Sequence, residues 1–230
     1  MFIATLIARP GALDPALADS LRNAWGGGDI LWLSPDEAAE FGLATLPANQ
    51  WEVWESLQAQ GVDLVIQPDG NRRKKMLLAD MDSTMICQEC IDELAAEAGV
   101  GDHVAGITLM PGGAELVATM KAQGAYAALV SGGFTAFTAR VAADLGFDEN
   151  RANTLLEGGG KLTGTVALPI LGRDAKVAAL QEITARLGIG VEDVIAVGDG
   201  ANDLGMLHLA GTGVALHAKP SVQAECDIRI

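Results

Sequence analysis

Met76-Leu77-Leu78-Ala79-Asp80-Met81-Asp82-Ser83-Thr84 is the stretch on which the fold turns. Four apolar residues in a row, closed abruptly by a polar cluster, fit a strand buried on both faces rather than the alternating strand of a half-exposed sheet. The same pattern recurs downstream. Tyr126 to Val130 runs into Ser131-Gly132-Gly133, and Val194 to Val197 leads to Asp199-Gly200-Ala201-Asn202-Asp203. Gly213 to Leu216 is a fourth short apolar run. Helical stretches alternate with these strands: in Ala175 to Leu187, Val177, Leu180, Ile183 and Leu187 fall on one helical face. Leu162 to Leu168, after Gly158-Gly159-Gly160, reads as a hairpin arm. The β-α-β alternation predicts an α/β fold with a doubly wound parallel sheet. In such a sheet ligands bind beyond the carboxyl ends of the strands, so the three polar clusters are expected to converge.

Upstream of this core the sequence reads as a small α/β unit. Phe2 to Ala8 and Ile30 to Leu33 are candidate strands, with a helix opened by Asp14 or Pro15 and closed by Gly26-Gly27-Gly28 between them. Ser34-Pro35-Asp36 has the form of an N-cap with proline at the first helical position, which predicts a second helix there. Val62 to Ile66 is another strand, and Pro68-Asp69-Gly70-Asn71 is a turn cluster that marks the domain boundary. The expected division is therefore residues 1–70 and 71–230. The basic run Arg72 to Lys75 reads as a solvated face.

Of the 230 residues, 50% are hydrophobic but only 4% aromatic, so the core must be built from Ala, Val, Leu and Ile. The formal net charge is −15, from 15 basic and 30 acidic residues. That balance argues against a nucleic-acid surface, which needs clustered Lys and Arg. It also constrains any phosphate site: an acidic protein binds an anion only where a metal, a lysine or backbone N–H groups reverse the local field. Cys87, Cys90 and Cys226 are too few for a disulfide framework and point to the reducing cytoplasm. The apolar run from Phe2 to Ala8 is ended by Arg9-Pro10, too short for a signal or a membrane span, and no membrane partner is expected. Cys87-Gln88-Glu89-Cys90 is a C-x-x-C with no second pair and no histidine at ligand spacing, so it cannot complete a zinc site. Nothing in the sequence bears on oligomeric state.

The polar clusters suggest a specific chemistry. Asp80 and Asp82 stand at i and i+2 of an extended segment, so both side chains point the same way. Two such carboxylates can divide the labour: one stays ionised and attacks phosphorus, while the other, raised in pKa by its neighbour, holds a proton for the leaving oxygen. Asp199 and Asp203 add carboxylate oxygens from another strand end, a donor set suited to Mg2+. Such an ion would screen the repulsion between an aspartate and a phosphate. Ser131-Gly132-Gly133 offers a hydroxyl and backbone N–H groups to phosphate oxygens. Lys176 sits in a first helical turn, where it opposes the helix dipole, and a role as a point charge on phosphate would explain it. Glu89 is near enough in sequence to the Asp82 loop to meet a substrate ammonium. Each cluster also has a plain structural reading, as turn chemistry or a helix start.

Taken in order, these segments resemble the motifs of the haloacid dehalogenase superfamily, and within it the phosphoserine phosphatases. Glu89-Cys90-Ile91-Asp92-Glu93, Ser131-Gly132-Gly133-Phe134 and His217-Ala218-Lys219-Pro220 add to a likeness that covers roughly residues 76 to 230. The first part of the chain resembles the small leading domain of bacterial members only loosely. The resemblance implies a Rossmann-like core, with Asp80 as the nucleophile that forms an aspartyl-phosphate and Asp82 as general acid and then base. It further implies Mg2+ held by Asp80, the backbone carbonyl of Asp82 and Asp199, with Asp203 supporting the outer shell of the metal. Ser131, Gly132 and Lys176 would bind phosphate, Asn202 would help orient it, and Glu89 would read the ammonium of O-phospho-L-serine. Hydrolysis to L-serine and phosphate would be the last step toward L-serine. Two other readings are a related phosphatase or phosphotransferase acting on another small phosphomonoester, and a binding module with an impaired core. The intact Asp80, Asp82, Lys176 and Asp199 speak against the last.

The likeness breaks at the helical cap that the family carries between its first two motifs. Here the residual cap segment spans only about 86–110, and several helices are absent between Thr108 and Leu109, together with the arginine that would meet the substrate carboxylate. Either the cap is deleted, or a lid segment belongs between these two residues; the second is the expectation.

Overall fold

The computed structural model describes residues 1–90, 107–159 and 161–230. The chain divides into two compact units, Met1–Arg72 with Asp227–Ile230, and Arg73–Cys226. Among the described residues no helix is long and apolar enough to cross a membrane.

The first unit is an antiparallel sheet carrying two helices. Its strands are β1 (Phe2–Ala8), β2 (Leu31–Ser34), β3 (Ala38–Leu43) and β4 (Val62–Pro68), in the order β2-β3-β1-β4. The alternation of side chains along a strand sends Ala4, Leu6, Ala39, Phe41, Val62 and Leu64 to one face. There they pack on Ala18 and Leu21 of α1 (Pro15–Ala24) and Leu57 of α2 (Gln50–Gln58). Asp14 caps α1 by accepting from Ala16 N at 2.8 Å, with Pro15 at the first position. The chain's last residues belong to this unit too. The Arg229 guanidinium stacks 3.5 Å from the Trp51 ring centroid, and its carbonyl accepts from Trp54 Nε1 at 3.1 Å.

Ser34-Pro35-Asp36 does not open a helix. It turns the chain from β2 into β3, with Asp36 at φ +52° and Glu37 N donating to Ser34 O. The local cap signal loses to the residues that follow: Ala39, Phe41 and Leu43 are each at most 2% exposed, a period of two that an antiparallel partner satisfies and a helix would not.

The second unit is the expected α/β sheet. Strands β5 (Met76–Ala79), β6 (Tyr126–Phe134), β7 (Glu149–Asn153), β10 (Val194–Gly198) and β11 (Thr212–Ala215) lie in the order β11-β10-β5-β6-β7, all parallel. Strands β8 (Leu155–Gly158) and β9 (Lys161–Val166) form a separate hairpin. Every residue of β5 is 0% exposed, which requires cover on both faces. Met76 and Leu78 pack toward Ala179, Leu180 and Ile183 of α5 (Arg173–Leu187) and Met206 of α6 (Leu204–Leu209). Leu77 and Ala79 alternate to the other face. Two further helices, α3 (Gly113–Ala122) and α4 (Thr135–Leu145), bury Val117, Phe137 and Val141. A short α7 (Pro220–Gln223) follows β11.

Thr108 and Leu109 are consecutive in the chain and pair with the segment after the Asp82 turn. Thr108 O accepts from Cys87 N at 2.9 Å, Leu109 bridges Ile86, and Met110 N donates to Met85 O at 2.9 Å. The chain passes through both residues in one antiparallel stitch. The rest of the expected cap segment falls mostly outside the described residues.

Candidate active site

Three parallel strands end side by side, and their polar ends line a cavity of about 250 Å³. From the end of β5 come Asp80 and Asp82, followed by Glu89; from β6, Ser131 and Gly132; from beyond β10, Asp199 and Asn202. All seven were expected at the site from sequence. The other two expected residues, Lys176 and Asp203, are not part of this lining. They form a buried ionic group with Asp80: Lys176 Nζ lies 2.6 Å from Asp80 Oδ1 and 2.5 Å from Asp203 Oδ1. Lys176, Asp203 and Asp80 are 1%, 0% and 4% exposed.

The backbone dictates this placement. Asp80 N donates to Val197 O at 3.0 Å, which continues the sheet one residue past β5. The chain then turns tightly: Met85 N and Ile86 N both donate to Met81 O. Ser83 adopts φ +53°, and its hydroxyl donates to Glu89 Oε1 at 2.7 Å, which holds that carboxylate at the cavity. Asp82 accepts from Cys90 N at 3.1 Å and from the Ser131 hydroxyl at 3.3 Å. At the end of β10, a Cβ on Gly198 would sit 2.6 Å from Asp203 Cγ, so glycine is what lets this strand approach the buried aspartate. Asp203 Oδ2 in turn accepts from Gly200 N, and Asp199 Oδ1 accepts from Thr84 Oγ1 at 3.2 Å.

Electrostatics follow from this packing. Burial pushes the Asp80 carboxyl up to about 7; Lys176 opposes the rise and Asp203 adds to it. The carboxyl whose protonation the fold favours is therefore the one expected to stay ionised. Burial, and then Asp203, also push Asp199 up, against the Thr84 hydroxyl. Lys176 is held above its usual value despite burial, because Asp80 and Asp203 flank it, and it stays charged. One ammonium thus pairs with two carboxylates, and oxygens of Asp80, Asp199 and Asp203 lie within 4.8 Å of one another. An excess of hard oxygen donors over positive charge is the setting that a metal ion relieves.

Sequence reasoning gave no separate role to Ser83 or Thr84, although both hold a predicted site residue. Thr84 lay within the quoted motif. The positive φ of Ser83 leaves no mark in the sequence, since glycine or asparagine is the usual signal for that conformation.

Comparison with known proteins agrees with this architecture. The sequence model of haloacid dehalogenase-like hydrolases matches residues 30–208. A phosphoserine phosphatase from Archaeoglobus fulgidus is 37% identical over 206 aligned positions, covering 73% of this chain and 60% of that protein. The aligned positions outnumber the residues of this chain that they cover, so the relative carries residues that this chain lacks. A phosphoserine phosphatase from Streptomyces coelicolor is 32% identical, and the chain spans 65% of its length. Among solved structures, a phospho-aspartyl intermediate analogue of phosphoserine phosphatase is 34% identical with a TM-score of 0.63, covering 69% of this chain and 94% of that one. With its sheet order, strand-end carboxylates and matched sequence taken together, this chain belongs to the haloacid dehalogenase-like hydrolase family.

Proposed function

We propose that this chain hydrolyses O-phospho-L-serine to L-serine and phosphate through a phosphorylated Asp80. The observation that carries the reading is the convergence, in one small cavity, of a carboxylate pair (Asp80, Asp82), a hydroxyl-and-amide loop (Ser131, Gly132) and Glu89. Its likeness to phosphoserine phosphatases, one solved as a phospho-aspartyl analogue, supports the same substrate and intermediate.

In the first step an Asp80 oxygen attacks phosphorus, and the bond from phosphorus to the seryl oxygen breaks. Asp82 gives its proton to that oxygen as L-serine leaves. In the second step Asp82 takes a proton from water, the water oxygen attacks phosphorus, and the acyl-phosphate bond to Asp80 breaks, releasing phosphate. Ser131, the backbone at Gly132 and Asn202 orient the phosphoryl oxygens, and Glu89, fixed by Ser83, meets the substrate ammonium. Lys176 holds Asp80 and Asp203 in place from behind the cavity and supplies positive charge beneath the phosphoryl group. Asp80, Asp199 and the Asp82 carbonyl would hold Mg2+, with Asp203 supporting them. The ion would neutralise charge on the phosphoryl oxygens and favour the ionised form of Asp80. Arg73–Cys226 serves as the catalytic core, and Met1–Arg72 with Asp227–Ile230 as a small additional domain. The reaction takes its place in the cytoplasm as the last step of L-serine formation.

The test is Mg2+-dependent phosphate release from L-phosphoserine and a panel of other phosphomonoesters, with Asp80→Asn as control. Preference for L-phosphoserine, abolished by the substitution, is the expected result. Broad and equal hydrolysis would remove the substrate assignment, and activity surviving in Asp80→Asn would remove the mechanism.

A further inference from the structure

β6 and β7 run in register up to the pair Val130 and Arg151, and meet again at Phe134 and Asn153. Between these pairs β6 advances four residues and β7 only two, so Ser131-Gly132-Gly133 bulges out of the ladder. A bulge leaves backbone groups without their cross-strand partners, and other groups must then pair with them. The Asn153 side chain fills the missing rung. Its Nδ2 donates to Gly132 O at 2.8 Å and to Leu171 O at 3.1 Å, while its Oδ1 accepts from Leu171 N at 2.7 Å. Asn153 is 6% exposed, and asparagine is depleted in strands, so the choice of residue calls for a reason.

The consequence runs through one peptide plane. Gly132 C=O and Gly133 N–H belong to the same rigid amide, so holding the carbonyl fixes the direction of the N–H. Gly133 N–H donates to Ser131 Oγ at 2.9 Å, which leaves the Ser131 hydroxyl proton to point at Asp82 Oδ2, 3.3 Å away. On its other side Asn153 pairs with both backbone groups of Leu171, two residues before α5 begins and five before Lys176. The same pairing closes the base of the β8–β9 excursion, where Ala167 N also donates to Thr154 O at 2.8 Å.

We infer that Asn153 is a positioning residue for phosphate binding, the clamp that sets the Ser131–Gly133 loop and the approach to α5 in one geometry. This rests on the reading of that loop as the phosphate cradle. The test is calorimetric binding of inorganic phosphate in the presence of Mg2+, and of Mg2+ alone, to wild type, Asn153→Ala and Asn153→Asp. Asn153→Asp keeps the volume and the acceptor for Leu171 N–H but has no donor for Gly132 O. If Asn153→Ala does not fold, this variant carries the test. Both variants are expected to bind phosphate about 10- to 100-fold more weakly. Mg2+ affinity should stay within about twofold, because its carboxylates stand on β5 and β10. In turnover, kcat/KM for a phosphomonoester should fall mainly through KM. Unchanged phosphate affinity in folded Asn153→Asp overturns the inference, as does an equal loss of both ligands, which would mark general damage. Failure of wild type to bind phosphate would instead overturn the functional reading, and this inference with it.

Discussion

The two sheets of this protein solve different problems with the same residue types. In the first unit, exposed apolar residues lie within the strands: Ala4 and Leu6 are fully buried, while Ile7, Leu31 and Leu33 are exposed. In the second, β5 is buried throughout and meets polar surroundings only where it stops, at Asp80. A sheet covered on both faces leaves strand ends as the places where backbone and polar side chains can meet a ligand. The antiparallel sheet of the first unit has no such focus, and no expected site residue falls there. Sequence composition gives an experimental handle on the contrast. All four tryptophans, at 25, 32, 51 and 54, lie in the first unit and the one tyrosine, Tyr126, in the second, so fluorescence follows the units separately.

The contrast predicts a graded series, measured by urea unfolding. Lys176→Ala strands Asp80 and Asp203 without their cation and should cost about 3–5 kcal/mol in metal-free protein. A small effect would mean that the ionic group is not held as tightly as its burial indicates. Leu78→Ala in β5 should cost about 2–5 kcal/mol, because the cavity it leaves is closed on both faces. Asp80→Asn should act in the opposite direction. With a pKa of about 7 against an ordinary 3.8, the folded state holds this proton more tightly than the unfolded chain. The group's contribution to stability is complete below pH 3.8 and is lost as pH rises to about 7. Metal-free Asp80→Asn, free of that loss, should be more stable than wild type at pH 8 by on the order of 2 kcal/mol, and should gain nothing at pH 4. A gain independent of pH would remove the titration as its cause. In the first unit, Arg229→Ala should cost about 1 kcal/mol, through its stacking on Trp51, and shift the tryptophan signal alone. Leu33→Ala, at a 54% exposed position, should stay within about 0.5 kcal/mol.

Where the sequence was readable, the reason is physical. Met76 to Ala79 and Val194 to Val197 could be placed because a dry strand has no freedom to be anything but apolar, and their polar ends could be placed because the apolar run must stop somewhere. Ser34-Pro35-Asp36 misled because an N-cap and a hairpin turn use the same residues; the decision lay in β3 and its pairing with β1, a long-range property. The place of Lys176 in its helix points to a phosphate contact, but its ion pairs with Asp80 and Asp203 are long-range contacts that no local pattern carries. Asn153 was invisible for a similar reason. Its role is created by a register mismatch between two strands, which no local pattern records.

The stitch that joins Ile86 to Leu109 also bears on how long the chain between them can be. It holds Ile86 and Leu109 side by side, so the two ends of the intervening stretch of chain are fixed at one place. Lengthening such a loop is cheap, about 0.6 kcal/mol for each doubling. A core of this kind is a socket: a loop that starts and ends at one stitch can change its length while the strand ends and their carboxylates stay where they are.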